Sequence, residues 1–425
     1  MQLTDEERAM LDGRYGEAVQ QAMDLLVRYG EALGAERMVE VRNVAGANIF
    51  TPAQRALAKA QDHAAAFSEL SLNSAKPLTI PTVRVPSCQL IGPMDREQWA
   101  VQGLSEADQQ AILESESFSA SLGIHLLNTC TPYQVGNVPV KGEHCAWMES
   151  SAVVYINSVL GARSNVEGRE STAAAMLTGR VPYWGYHLPE NRFATHLIQV
   201  EVPVESMMDW GLLGYWVGEM VDDQVPVLDG ITQVPNLVRL KHFGAAAASS
   251  GGVELYHIPG ITAEARTVEE ALGGRAPKAV LRYGPAERRA AYEHLNATAR
   301  DRKVDLVMIG CPHANLEQVW EVCQLLEGRH VHPETELWIF TPRALRQVCD
   351  RNGYTDILTR AGARLLSDTC PAIGQFLPPG ARVVALDSAK QAHYLPAIMG
   401  VQGWFGSTKD CVEAAISGTW QGGLE

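Results

Sequence analysis

Positive charge is scarce in this 425-residue chain, where 35 Lys and Arg stand against 49 Asp and Glu for a formal charge of −14. That balance argues against a nucleic-acid surface. Long apolar runs are missing as well. No window approaches the about 18 consecutive apolar residues of a membrane span, and the N-terminus lacks the basic stretch and apolar core of a secretory leader. A cytoplasmic protein is expected. None of the eight cysteines forms a C-x-x-C pair, which excludes a zinc ribbon or a thioredoxin motif. They read as thiols or ligands rather than a disulfide framework. Also missing are the G-x-S-x-G elbow of a hydrolase and the G-x-x-x-x-G-K phosphate loop.

What is present suggests two or three lobes, because a chain this long outgrows one core. Thr4 and Glu7 read as a capping box opening a helix. Residues 4 to 30 and 52 to 70 carry amphipathic patterns around a short strand, MVEVRNV, and PLTIPTVRVPSC is an extended segment too proline-interrupted for a central strand. Residues 144 to 160 are apolar at helical spacing. AAAASSGG, residues 245 to 252, reads as a flexible connection. From residue 278 strands and helices alternate regularly, through KAVLRY, VDLVMIG and ELWIF, which argues for an α/β fold with parallel sheets covered by helices. The expected lobes are 1–200, 201–277 and 278–425.

Setting sorts the cysteines. Cys323, Cys349 and Cys411 lie on apolar helix faces and read as packing, as do Cys88 and Cys145. Cys130, Cys311 and Cys370 differ: each ends an apolar run and meets a proline within two residues, in TCTP, GCPH and TCPA. A helix start there favours a thiolate. Three thiolates from three strand ends would hold an iron–sulfur cluster with one open iron; the alternative is three unrelated loop cysteines. His313, close to Cys311, reads either as support for such a site or as a plain helix start. Glu149 is an acid in an otherwise apolar helix, MESSAVVYI, and reads as a substrate or proton-transfer group, or as a carboxylate complementing the helix dipole. Arg163 and Asn165 follow on a loop, where an arginine either binds a carboxylate or forms a surface ion pair.

At these residues the sequence resembles the large subunit of the two-subunit form of aconitase X. The match is carried by WMESSAVVYINSVLGARSNVEG, residues 147 to 168, by NTCTPYQVG, IGCPHA and DTC, and by GAN near residue 46. The resemblance implies a multi-lobed aconitase-like architecture and a hydro-lyase that removes water from a small hydroxy acid. It places the cluster on Cys130, Cys311 and Cys370. Substrate contacts fall on Gly46, Ala47, Asn48, Glu149 and Ser150, and more loosely on Thr82; family members often read PTT-x-N where this chain has PTVRV. The family's known substrates are cis-3-hydroxy-L-proline, favoured here, and mevalonate 5-phosphate. It further implies a separate small subunit that carries a swivelling domain and a catalytic serine, and hence a heterodimer inactive without it. A non-enzymatic iron–sulfur redox sensor is the reading of another class, and it predicts no organic site.

Overall fold

The computed structural model describes residues 1–46 and 62–424. Its largest sheet has five parallel strands, ordered Arg364–Ser367, Glu336–Thr341, Leu306–Ile309, Val383–Leu386 and Gln402–Phe405. Near-continuous apolar runs build it, and successive side chains face opposite layers. Leu306 and Met308 join one core with Trp338, Phe340 and Leu386. Val307 and Ile309 join another with Leu337, Ile339 and Ala385. Helices cover both faces, as an all-parallel sheet requires. Strand order reverses between Leu306–Ile309 and Val383–Leu386, and ligands of such sheets bind beyond the carboxyl ends at that reversal.

Two three-stranded parallel sheets complete the frame. Asn43–Gly46 lies between Ser87–Gln89 and Cys145–Trp147, and His196–Val200 lies between Pro226–Asp229 and Ala279–Tyr283. KAVLRY, the first strand of the regular alternation, therefore pairs in the second of these sheets and not with the strands that follow it. Met38–Glu40 and Arg180–Pro182 form a short antiparallel pair. The Thr4–Glu7 capping box is present on helix Asp5–Leu11. Among the described residues, no helix is long and apolar enough to cross a membrane.

Two expectations are corrected. Residues 144 to 160 are not one helix: Cys145–Trp147 is a buried strand, and helix Ser150–Tyr155 with its π-helical extension Ile156–Leu160 follows. A segment with no exposed residue lacks the polar face that would separate the two periods. AAAASSGG is not a flexible connection either, since residues 245–250 complete helix Leu237–Ser250 and most are buried. Its small side chains admit the neighbouring helix Met207–Val221 so closely that a Cβ on Gly214 would stand 2.3 Å from the Phe243 carbonyl oxygen.

Candidate active site

Three loops converge at the carboxyl end of the five-stranded sheet. Cys311 follows Leu306–Ile309 through Gly310, Cys370 follows Arg364–Ser367, and Cys130 ends an extended segment that runs beside strand Ser87–Gln89. A residue with positive φ starts each turn: Asn128 (47°), Gly310 (103°) and Asp368 (69°). These are the residue types that tolerate the left-handed region. At Gly310 a Cβ would also meet the Phe340 carbonyl oxygen at 2.3 Å. The turns aim all three cysteines into one cavity of about 280 Å³, together with Glu149, Ser150, His313, Lys390 and Gln391.

His313 ties the loops together. Its backbone N–H donates to Cys130 Sγ (3.3 Å), while its ring spans Thr129 Oγ1 (2.9 Å) and the Thr369 carbonyl oxygen (3.0 Å). Thr129 precedes Cys130 and Thr369 precedes Cys370. A carbonyl only accepts, so Nε2 carries the proton and Nδ1 accepts from the threonine hydroxyl. Burial holds this imidazole neutral, its pKa lowered to about 4. Of the two readings of His313, the geometry favours support of the cysteine site.

The donor set fits an iron–sulfur cluster. All three thiols are free, and burial pushes each up to about 12. The expected thiolate preference at a helix start is therefore outweighed by desolvation. Only Cys370 directly heads a helix, Pro371–Gly374; Cys130 leads into a short 3₁₀ turn, and the helix after Cys311 begins at Leu316. One donor nevertheless faces each sulfur: the His313 N–H at Cys130, the Ser388 hydroxyl at Cys311 and the Ile373 N–H at Cys370. Such bonds favour the thiolate once a cation displaces the proton. Among the described residues no three His, Cys, Asp or Glu groups are gathered tightly enough for a single metal ion. A cluster takes its thiolates on separate irons and accepts the wider spacing.

Glu149 is the N-cap of helix Ser150–Tyr155, one residue before the helix and not within it. Its carboxylate pairs with Lys390 and accepts from the Ser151 hydroxyl at 2.9 Å; Lys390 also donates to Ser151 Oγ at 3.2 Å. Burial pushes the Glu149 pKa up, but Lys390 and Ser151 outweigh it and the carboxyl titrates below its ordinary range. Lys390 is correspondingly held as an ammonium, burial being outweighed by Glu149 and the thiols. Sequence reasoning missed Lys390 and Gln391. Their signal is a lysine in the first turn of the apolar helix Ala389–Met399, directly after the buried strand VVAL at the sheet's reversal point.

The remaining candidates stand elsewhere. Gly46 lines a separate cavity of about 40 Å³ with Arg169, Thr172 and Met176, and a Cβ there would meet Met176 Cε at 2.6 Å. Ala47 and Asn48 lie outside the described residues. Thr82 is exposed on the proline-rich segment and does not line the cysteine cavity. Arg163 donates to the His187 carbonyl oxygen (3.2 Å), and Asn165 accepts from the Tyr186 N–H (2.8 Å). Both brace the turn at 184–187 and neither lines the cavity. Cys323, Cys349 and Cys411 pack in one core, Cys88 and Cys145 in another.

Known proteins of one family resemble this chain along nearly its whole length. Residues 1–190 match the aconitase X first domain, 194–293 its second and 304–417 its third. The chain is 34% identical to the phosphomevalonate dehydratase large subunit of Methanocaldococcus jannaschii, over 97% of this chain and 100% of that one. It is 38% identical to its counterpart in Methanothermobacter thermautotrophicus, over 93% and 94%. It is 35% identical to the cis-3-hydroxy-L-proline dehydratase of Pseudomonas aeruginosa, over 98% of this chain and 70% of that protein. The crystal structure of Thermococcus kodakaraensis aconitase X in its holo-form superposes with a TM-score of 0.82 at 29% identity, covering 98% and 100%.

Proposed function

Because the chain belongs to the aconitase X family, we propose that it is the large subunit of a hydro-lyase acting on cis-3-hydroxy-L-proline, with an iron–sulfur cluster on Cys130, Cys311 and Cys370. The product is pyrroline-2-carboxylate, formed by loss of the 3-hydroxyl and the proton on Cα as water. The charge of the cavity carries the choice of substrate. Its described lining offers one carboxylate, Glu149, and one ammonium, Lys390. An amino-acid zwitterion brings one charge of each sign and matches that pair. A phosphorylated hydroxy acid brings two or more negative charges to a single cation already paired.

When bound, the cluster supplies an electron-poor iron that polarises the departing hydroxyl. Glu149 takes the ring ammonium, and Lys390 takes the carboxylate and holds Glu149 ionised. Ser150 places its hydroxyl beside the leaving group. Ile91, Ile373, Leu395 and Ile398 line the cavity and keep water off the ring, which strengthens each of these charge contacts. Abstraction of the Cα proton needs a base within hydrogen-bond reach. Among the described lining residues Glu149 is ion-paired and both His313 nitrogens are engaged. The base therefore belongs to a small subunit with a swivelling domain, and the partly exposed Tyr394 and Ile398 on the cavity rim suit such a cover.

A second reading, mevalonate 5-phosphate as substrate, is favoured by the relatives of that name, which match over 94% and 100% of their own length. Both substrates are to be assayed with the anaerobically purified two-subunit complex. Turnover of cis-3-hydroxy-L-proline with no turnover of mevalonate 5-phosphate is expected; the reverse result overturns the assignment. A complex free of iron and sulfide removes the cluster.

A further inference from the structure

A lysine that none of the foregoing chemistry uses stands behind the cysteine loops. Lys241, on helix Leu237–Ser250, is 2% exposed. Its ammonium donates to the His313 carbonyl oxygen (2.9 Å) and to Gln318 Oε1 (2.6 Å). Both acceptors are neutral. Lys390, the other lysine of this region, has Glu149 as its ion partner; no ion pair among the described residues includes Lys241. The carboxyl that acts on it most strongly is Asp387, whose own charge is suppressed because burial raises its pKa to about 7. An ammonium taken out of water among neutral acceptors is costly unless an anion stands close by. Burial is the largest influence on Lys241 and lowers its pKa to about 8; the groups that oppose burial and draw it towards its charged form are led by Cys130 and include Cys311.

We infer that Lys241 is the counter-charge of the three-cysteine site, a positioning residue that grips the Cys311 loop through the His313 carbonyl and balances the negative charge of three thiolates and their cluster. The inference rests on the iron–sulfur reading above. It also accounts for a lysine in a helix, LVRLKHFGAAAASS, whose other buried residues, His242 apart, are small or apolar. The grip crosses from one part of the molecule to another, since Lys241 stands on a helix ahead of strand Ala279–Tyr283 while His313 follows a strand of the five-stranded sheet.

Lys241→Met separates charge from packing. The His313 carbonyl keeps a second donor, Gln134 Nε2 (3.1 Å), and Gln318 Oε1 keeps the Asn315 N–H (3.3 Å), so the variant leaves neither acceptor bare. Wild type and Lys241→Met, each with its small subunit, are reconstituted anaerobically and challenged with an iron chelator. Iron and sulfide content, the reduction potential and the melting temperature of the cluster-free protein are then read. Lys241→Met is expected to release iron roughly ten- to a hundredfold more readily, on the scale of supporting residues around metal sites, and to show a lower reduction potential. Its cluster-free form is expected to melt no lower than cluster-free wild type, because an uncompensated charge has been removed. Iron retention and potential equal to wild type overturn the inference. So does a cluster-free variant that melts lower or fails to fold, since Lys241 is then a packing residue. Wild type that takes up no iron defeats the cluster reading itself, and this inference with it.

Discussion

At the scale of single residues, the Glu149–Lys390 pair is the least replaceable feature of the cavity. Both ions are largely buried and each sets the other's charge. Lys390→Met leaves a buried carboxylate with only Ser151, through its hydroxyl and its N–H, to hold it, whereas Glu149→Gln leaves a buried ammonium. Either change removes an electrostatic contact aimed at the reacting groups, and loss of one such contact costs on the order of 10²–10³ in kcat. The pair acts as a unit, so Glu149→Gln with Lys390→Met is expected to lose little more activity than either single change. Steady-state rates of the four proteins decide this, and multiplicative losses show that the residues act independently. Glu149 was legible in the sequence because an acid is conspicuous in an apolar stretch. Lys390 was not, because a lysine near a helix start usually faces water, and only the strand order reveals that this one lies at the sheet's reversal point.

At the scale of elements, the cysteine loops were largely legible and the helices behind them were not. An apolar run that stops at Asn-Thr-Cys, Gly-Cys or Asp-Thr-Cys contains its own turn, because Asn, Gly and Asp adopt the positive φ found at Asn128, Gly310 and Asp368. What the sequence does not display is that Leu237–Ser250 is an inner helix, since runs of alanine, serine and glycine read equally as linker or as close packing. Its partner settles the matter. A Cβ on Gly214 would stand 2.3 Å from the Phe243 carbonyl oxygen, and one on Gly218 would stand 2.1 Å from Ser250 Oγ. Gly214→Ala is expected to force the two helices apart, at a cost of about 1–3 kcal/mol seen as a lower thermal midpoint. Leu237–Ser250 also carries Lys241, so Gly214→Ala should weaken iron retention as well. A variant that melts at the wild-type temperature shows that the helices yield without cost.

At the scale of the whole molecule, the buried titratable groups set how stability depends on pH. His144, His187 and His313 are lowered to about 4, 3 and 4, burial being the largest cause in each case, and His242 and His257 are lowered as well. Unfolded, each takes a proton near its ordinary 6.5. Folding therefore excludes protons, and stability falls as pH drops from 6.5 towards the folded values. Glu167, Glu254 and Asp387 act in the opposite sense. Burial raises each to about 7, so their contribution is complete below the ordinary carboxylate range and is lost as pH rises through 7. Between pH 4.5 and 6.5 the lowered histidines, His196 and His393 among them, outnumber the raised carboxyls, to which Asp368 at about 6 and Glu321 also belong, and the folded chain binds fewer protons than the unfolded one. The slope is then on the order of 1 kcal/mol or more per pH unit, lost on acidification. Above 6.5 the raised carboxyls titrate first, and from about pH 8 the eight thiols, all raised by burial, act in the same sense against Lys241, which burial lowers to about 8, so stability declines towards alkaline pH. Denaturant midpoints of the cluster-free protein between pH 4.5 and 8.5 should peak between pH 6 and 7. Midpoints that keep rising beyond pH 8 would show that Glu167, Glu254 and Asp387 ionise freely in the folded chain.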